Sequence, residues 1–483
     1  MLEKWDDEKD VIVIGGGAAG LAAAVSVAQK GKSVSLIEKA TNTGGDSRAS
    51  GQQVIGLWPK RTKEIAGEDD DLDKYMADFR NSHWASAKGR KGEELADKLP
   101  FSQRLYEKSP EMYEWMESLG LKWDGFPATT QGVLPQPLWD TIYPRTFSPH
   151  KGNIVDFLDQ AAEKYGVEVY TSTEARKLIA DDDGAIVGVC VLKEDNSFKN
   201  IRAKKGVILA TGSFNSSRSM VAKYLPDTAA KTDPAGSPMN DGDGHRMTQD
   251  VGGDLRDMSL GTHWLALDAT TKGWVFQLSM LNYGGPEGKM QKGDMPGILV
   301  NFAGKRYMSE SLGYKYIGLE TSKQLFQEGY YVFDSSDDVA KNILPKPQKG
   351  FINFILKGDT LEELANKMFI EPKELVAQVK RYNGFIKTGK DEDFGKHIEN
   401  CQPLERSPFY AIKLHPRHYA TYGGISTNVE SQVLDKNGGI IPHLYAAGMC
   451  TGSYAEQEGL YYAGGVCQAI VFGRQAAANV LNG

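Results

Sequence analysis

A glycine-rich segment near the start of the chain has the spacing of a nucleotide-binding turn. Gly15, Gly17 and Gly20 follow the apolar run 11–14, and Glu38 ends the next apolar run. In such a turn the glycines permit a tight bend, a close approach of the backbone to a pyrophosphate and tight helix–strand packing. The helix that follows attracts phosphate at its N-terminus, and the acid accepts hydrogen bonds from a ribose. An acid at position 38 disfavours a 2′-phosphate, so the pattern predicts NAD or FAD rather than NADP.

Three further glycine-bearing segments indicate which dinucleotide this is. The loop 44–51 follows Glu38 almost at once, residues 210–212 close an apolar strand in mid-chain, and residues 444–448 close another near the C-terminus. A second Gly-x-Gly-x-x-Gly segment is not visible, so an additional NAD(P)H site is not predicted.

With these four segments in this order, the sequence resembles the FAD-binding flavoproteins of the fumarate reductase/succinate dehydrogenase family over essentially the whole chain. The resemblance implies an α/β fold, α+β overall. A Rossmann-like FAD-binding domain of glutathione-reductase type would carry an inserted substrate or capping domain. It also implies extended FAD, with the C-terminal helix aimed at the flavin ring. The implied cofactor-binding residues are Gly15, Gly17, Ala18, Ala19, Gly20, Glu38, Lys39, Gly44, Gly45, Ser47, Ser50, Gly51, Ala210, Thr211, Gly212, Asp243, Gly448, Gly464 and Gly465.

The cofactor is predicted to be held noncovalently. A histidyl link to flavin would require a histidine near the loop 44–51, and the first histidine of the chain is His83.

Three tyrosines stand where fumarate-reducing members of the family carry Arg, His and Arg. These are Tyr314, Tyr419 and Tyr462. Tyr314 and Tyr462 fall instead on the two tyrosines of flavin-dependent 3-ketosteroid dehydrogenases, although Gly464 replaces a serine of their second motif. The resemblance therefore implies desaturation of a cyclic ketone beside its carbonyl, or the reverse reaction, and argues against dicarboxylate substrates. Tyr461 is the alternative to Tyr462 as the residue that faces the substrate.

The same chemistry can be argued from the residue types. Removing two hydrogens beside a ketone requires a donor that polarises the carbonyl, a base for the α-proton and a hydride acceptor. Tyrosine is a neutral donor and suits an uncharged ketone better than arginine does. As a base it must act as tyrosinate, so the site must lower its pKa from the usual value of about 10.

Further residues are predicted to lie on the substrate side of the site. His263, Tyr143 and Gly464 are predicted to contact the substrate, and Asp243 stands in a Gly-Asp-Gly loop that resembles one near the flavin in relatives. No metal site is predicted, because the histidines and the four cysteines lack ligand spacing.

The pattern of apolar runs predicts a βαβ start, helices over 110–120 and 154–164, a β-hairpin around 185–204 and a final helix over 465–481. From about residue 225 the composition changes, and it returns to glycine-punctuated strands after residue 405. We therefore expect a discontinuous FAD-binding domain over 1–225 and 405–483, with a substrate domain over 226–404.

Composition narrows the remaining function classes. The chain of 483 residues carries 56 basic and 63 acidic residues, a net charge of −7. This acidic balance argues against nucleic-acid binding. No apolar run is long enough to span a bilayer, and the scattered cysteines fit a reducing cytoplasm. An external electron donor or acceptor is expected, and the chain is a monomer or a homo-oligomer. An ene-reductase and a flavin-binding redox subunit of a complex remain alternatives.

Overall fold

The computed structural model describes most of the chain. It covers residues 4–50, 52, 54–77, 99–125, 145–259, 262–268, 296–310, 314–337, 340, 355–396, 398, 401–452 and 465–482.

An eight-stranded sheet forms the centre of the first part of the fold. Its central strands pair in parallel and are buried, because apolar runs such as residues 11–14 are covered on both faces. In spatial order, the main path of the sheet runs Gln432–Leu434, Ile440–Ala446, Phe198–Leu209, Asp7–Ile14, Val34–Ile37 and Glu168–Tyr170. The predicted hairpin is formed by Ile186–Leu192 and Phe198–Leu209, which pair antiparallel. The strand Glu174–Ala180 pairs antiparallel with Ile186–Leu192.

Two helices from opposite ends of the chain pack on this sheet and on each other. They are Ala18–Ala28 and Gly465–Asn482. Their approach is close, because a Cβ at Gly473 would lie 2.3 Å from the Ala19 carbonyl oxygen. The first helix consists almost entirely of small and apolar residues, which permits this contact.

A six-stranded sheet forms the second part. Its longest strand, Phe409–Thr421, pairs with four neighbours and is antiparallel to three of them. The strands of this sheet are Asp233–Pro234, Thr262–Asp268, Ile298–Val300, Gly329–Asp334, Ile355–Gly358 and Phe409–Thr421.

Smaller elements complete the described structure. The short strands are Val54–Ile55, Trp123–Gly125, Thr146–Pro149, Leu255–Arg256 and Gly424–Ile425. The other helices are Gly45–Ala49, Pro59–Ala66, Leu99–Ser118, Ile154–Lys164, Arg218–Tyr224, Pro226–Lys231, Asp243–Asp250, Tyr314–Ser322, Leu361–Lys367 and Pro372–Thr388, with 3₁₀ turns at Leu325–Gln327 and Gly448–Cys450.

The predicted α/β class, with a Rossmann-like first domain, is confirmed. The domain boundaries stay a prediction. The strand Phe409–Thr421 lies in the six-stranded sheet, although the segment 405–483 was assigned to the first domain. Among the described residues, no helix combines the length and apolar character needed to cross a bilayer.

Candidate active site

The first glycine-rich turn has the geometry that pyrophosphate binding requires. Gly15 has φ +104°, and a Cβ there would lie 2.3 Å from the Ala210 carbonyl oxygen. A Cβ at Gly20 would lie 1.8 Å from the Gly15 oxygen, so neither glycine can be replaced without moving the backbone. The helix that begins at Ala18, directly after Gly17, has no acidic side chain in its first turn. Its N-terminus therefore presents N–H groups and a positive dipole end to an anion.

Glu38 closes the same turn from the second strand. Its Oε2 accepts a hydrogen bond from the Gly16 N–H at 2.7 Å, and its Oε1 accepts one from the Ala40 N–H at 2.7 Å. The residue is only 8% exposed. Each carboxylate oxygen keeps a lone pair for a further donor, as binding a ribose diol requires.

The loop that starts at Gly44 lies against the turn. The Gly44 N–H donates to the Gly16 oxygen at 2.7 Å, and the Ala18 N–H donates to Ser47 Oγ at 3.3 Å. The Ser50 hydroxyl donates to the Ser47 carbonyl at 2.8 Å and closes the loop on itself. A Cβ placed on Gly17 would lie 3.9 Å from the Gly44 carbonyl oxygen and from Ser47 Oγ, which is ordinary van der Waals contact.

Arg48 fixes the outer side of this loop. Its guanidinium contacts Asp156 at 2.6 Å and Asp159 at 2.7 Å, both on the helix Ile154–Lys164. The contacts of Arg48 with these two carboxylates were not predicted from the sequence.

Asp46, in the same loop, is a second residue that sequence reasoning missed. Its carboxylate accepts hydrogen bonds from the Ser237 N–H at 2.6 Å and from Asn240 Nδ2 at 2.5 Å. Burial raises the pKa of Asp46 to about 6, although both hydrogen bonds favour its charged form. A charged residue inside a glycine-rich cofactor loop was the available sequence signal.

Lys39 and Asp243, both predicted cofactor residues, form an ion pair at 2.6 Å. Lys39 also contacts Asp241 at 2.9 Å, and Arg246 pairs with Asp243. Burial disfavours the charged form of Lys39, but the two carboxylates offset this and raise its pKa. The ion pair between Lys39 and Asp243 therefore joins the end of the second strand to the start of the helix Asp243–Asp250.

The strand ends at 210–212 and 446–448 also reach this region. The Ala210 N–H donates to the Ile14 carbonyl at 2.7 Å. Gly212 and Gly448 adopt positive φ angles of +74° and +77°. A Cβ at Gly448 would lie 2.8 Å from the Ala19 side chain, at the start of the first helix. The structure thus brings together the first turn, the loop at Gly44, the mid-chain strand end and the C-terminal strand end.

His245 lies behind this assembly and was not identified from the sequence. Its side chain is fully buried, and neither ring nitrogen forms a hydrogen bond of full geometry with a described residue, although a contact with the Gly423 backbone opposes the fall in its pKa. The Phe214 ring packs edge-on at 5.4 Å. Desolvation lowers the pKa of His245 to about 4, which keeps the imidazole neutral near pH 7.

The predicted catalytic and substrate residues are placed unequally. Tyr419 lies beside the cofactor loop, and its hydroxyl donates to the Asp46 carbonyl oxygen at 3.2 Å. The backbone of Tyr314 begins the helix Tyr314–Ser322, and that of His263 lies in the strand Thr262–Asp268. Outside the described residues lie Tyr143, Tyr461, Tyr462, Gly464 and Gly51. Their predicted roles stay predictions.

A buried ion network precedes the helix that begins at Tyr314. Arg306 pairs with Glu310 at 2.8 Å and with Asp391 at 2.9 Å, and Lys396 lies 3.5 Å from Glu310. All four side chains are inaccessible to solvent. The two positive and two negative charges balance, so the network fixes the segment before Tyr314 without leaving an unpaired buried charge.

The turn 15–20, Glu38 and the loop that starts at Gly44 form a cradle for a dinucleotide, and its chemistry fits FAD. A helix N-terminus free of acids faces the pyrophosphate position, and Glu38 has lone pairs for a ribose. Among the described residues, no cluster of three or more His, Cys, Asp or Glu is placed to hold a metal ion.

Comparison with known proteins agrees with this geometry. Residues 10–467 match the family model described as FAD binding domain. The chain is 27% identical to a probable fumarate reductase, Ifc3, of Shewanella frigidimarina, over 98% of this chain and 77% of that protein. It is 29% identical to a 4-oxocyclohexanecarboxylate 2-dehydrogenase of Sinomonas cyclohexanicum, over 92% of this chain and 88% of that protein.

A solved structure is similar over almost its whole length. The 3-ketosteroid-Δ4-(5α)-dehydrogenase of Rhodococcus jostii RHA1, in complex with 4-androstene-3,17-dione, superposes with a TM-score of 0.74 at 25% identity. The alignment covers 99% of this chain and 98% of that one. With the cradle described above, the match over residues 10–467 shows that the chain belongs to the FAD binding domain family and is an FAD-dependent oxidoreductase.

Proposed function

We propose that the protein desaturates a cyclic ketone between the α and β carbons, on a 3-ketosteroid or a smaller oxocyclohexane. The observation that carries this is the neutral tyrosine at position 419, which lies against the cofactor loop. Fumarate-reducing members of the family that this sequence resembles have a histidine at the matching position. FAD supplies the two-electron acceptor for this chemistry when it is bound.

The charges near the cofactor residues argue against a dicarboxylate substrate. Lys39 is paired with Asp241 and Asp243, and Arg48 is paired with Asp156 and Asp159. These cations are already neutralised by carboxylates of the chain. A dicarboxylate would need cationic partners of its own, because a carboxylate buried without one is strongly disfavoured.

Tyr462 and Tyr314 are proposed to act on the ketone. Tyr462 would donate a hydrogen bond to the carbonyl oxygen and stabilise the developing enolate, with Tyr461 as the alternative. Tyr314 would accept the α-proton, and the buried network at Arg306 and Glu310 would hold the backbone before it. His263, Tyr143 and Gly464 would line the ring of the substrate.

Two relatives support this substrate class, because their names specify an oxocyclohexane acid and a 3-ketosteroid as substrates. Electrons would pass to or from an external carrier. All four cysteines lie within the described residues and none forms a disulfide, which supports a reducing, cytoplasmic location.

Anaerobic flavin titration tests the proposal. The oxidised protein is mixed with 4-oxocyclohexanecarboxylate or a saturated 3-ketosteroid, and loss of flavin absorbance is expected. Fumarate added to the chemically reduced protein should leave the flavin reduced. Re-oxidation by an enone without bleaching by any saturated ketone would instead establish an ene-reductase. Rapid re-oxidation by fumarate would refute the proposed substrate class.

A further inference from the structure

We propose that Asp46 is a positioning residue that holds the cofactor loop against the Ser237–Asn240 segment and thereby supports both FAD binding and the placement of Tyr419. Its carboxylate binds the Ser237 N–H at 2.6 Å and the Asn240 amide at 2.5 Å. Its backbone carbonyl accepts the Tyr419 hydroxyl at 3.2 Å. One residue therefore joins three segments that lie far apart in the sequence.

The space around this bridge depends on two glycines. Gly236 has φ +93°, and a Cβ there would lie 2.8 Å from Asp46 Oδ1. Gly212 has φ +74°, and a Cβ there would lie 2.4 Å from Asn240 Oδ1. A side chain at either position would displace the carboxylate or the amide that it binds. The two glycines thus leave the space that the Asp46 carboxylate and the Asn240 amide occupy when they bind each other.

The opposite side of the loop contacts the pyrophosphate turn. There, the Gly44 N–H binds the Gly16 oxygen at 2.7 Å, and Ser47 Oγ accepts the Ala18 N–H at 3.3 Å. The loop is therefore held between the turn and the Asp46 bridge. Loss of the carboxylate would leave two donors without their acceptor and release the loop on that side. Asp46 would then affect FAD affinity without having to touch the cofactor.

Equilibrium binding of FAD to the apoprotein tests this without any substrate, so its outcome is independent of the proposed ketone chemistry. Asp46→Ala should weaken FAD binding by about ten- to a hundredfold, because two hydrogen bonds to a charged group are lost. It should also change the visible circular dichroism of the bound flavin. Asp46→Asn keeps one acceptor oxygen and should restore most of the affinity. Asp10→Ala is the matched control, because it removes a carboxylate that likewise accepts a backbone N–H, that of Ser33 at 2.9 Å, and is not among the cofactor residues.

A double-mutant cycle with Tyr419→Phe tests the coupling. If Asp46 positions the loop for Tyr419, the tyrosine substitution should cost at least about threefold less FAD affinity in the Asp46→Ala background than in the wild type. Should Asp46→Ala fail to fold by far-ultraviolet circular dichroism, the cycle is run with Asn240→Ala, which removes one of the two donors that Asp46 binds. Wild-type FAD affinity in Asp46→Ala, effects of the two substitutions that simply multiply, or an equal loss of FAD affinity in Asp10→Ala would each overturn the proposal.

Discussion

His245→Leu should remove an acid sensitivity that is built into the interior of the protein. The buried imidazole has a pKa of about 4, whereas an unfolded histidine has a pKa of about 6.5. Between these values the unfolded chain binds a proton that the folded chain does not. The free energy of unfolding therefore falls as the pH is lowered from about 6.5 to 4. Since each pKa unit corresponds to about 1.36 kcal/mol, this single group accounts for about 3 kcal/mol of lost stability.

Leucine suits the site because neither ring nitrogen forms a hydrogen bond of full geometry with a described residue. At pH 7.5, His245→Leu should unfold at a urea concentration close to that of the wild type, or higher. At pH 4.5 the variant should be more stable by 2 to 3 kcal/mol, an order-of-magnitude figure from the pKa difference. Urea unfolding of the FAD-loaded protein at several pH values measures this, with His150→Leu as a control at a half-exposed site. Parallel stability curves for His245→Leu and the wild type would refute the reasoning.

Three further outcomes are expected. Acid precipitation should leave a colourless pellet and release FAD into the supernatant, because the cofactor is held noncovalently; colour retained on the pellet would contradict this. Tyr462→Phe should slow turnover by about a hundred- to a thousandfold through loss of one donor to the developing enolate, and Tyr314→Phe by a factor of about 10² to 10⁴ through loss of the base. Both variants should bind FAD and melt like the wild type, and near wild-type turnover in both would rule out these roles. Glu310→Ala should lower the free energy of unfolding by about 3–5 kcal/mol in urea denaturation, because Arg306 and Lys396 lose their buried carboxylate; a loss below 1 kcal/mol, small on this order-of-magnitude scale, would show that the network is not stabilising.

The sequence predicts elements well where local signals agree with packing. The helix Ile154–Lys164 has the predicted bounds, because Asn153 caps it by accepting the Val155 N–H and its apolar face is buried. The predicted helix 110–120 is wrong at its start, since the structure has Leu99–Ser118 with Pro110 inside. Proline cannot donate to the Tyr106 carbonyl, but the Ser109 hydroxyl, whose one proton is shared between the Tyr106 and Leu57 carbonyl oxygens at 3.0 Å each, partly compensates for the missing bond. That compensation depends on a side chain that sequence rules treat as unfavourable within a helix.

The residues of the candidate site likewise fall into those that could be predicted from the sequence and those that could not. The cofactor half could be predicted because Gly15, Gly20 and Glu38 act through backbone geometry and short-range spacing, which a sequence displays directly. Asp46 and His245 could not be predicted, since their significance arises from segments that meet only in the fold. Asp46 depends on a backbone N–H almost two hundred residues away, and His245 depends on burial that leaves its ring without a hydrogen bond of full geometry to a described residue.

This division also explains how one cradle can serve different substrates. The FAD-binding half is built largely from main-chain N–H groups and glycines, so side-chain changes elsewhere leave it intact. In the proposed function, the substrate half acts through side-chain charge, and tyrosine in place of Arg or His would change which substrate the same cradle accepts. A tyrosine gives one hydrogen bond and no net charge, so it stabilises charge that develops on a ketone oxygen without requiring a charged ligand beforehand. Tyr419 connects the two halves, because its hydroxyl donates a hydrogen bond to the carbonyl oxygen of Asp46 in the cofactor loop. A substitution that changes the substrate half at this position therefore also acts on the loop that holds the cofactor.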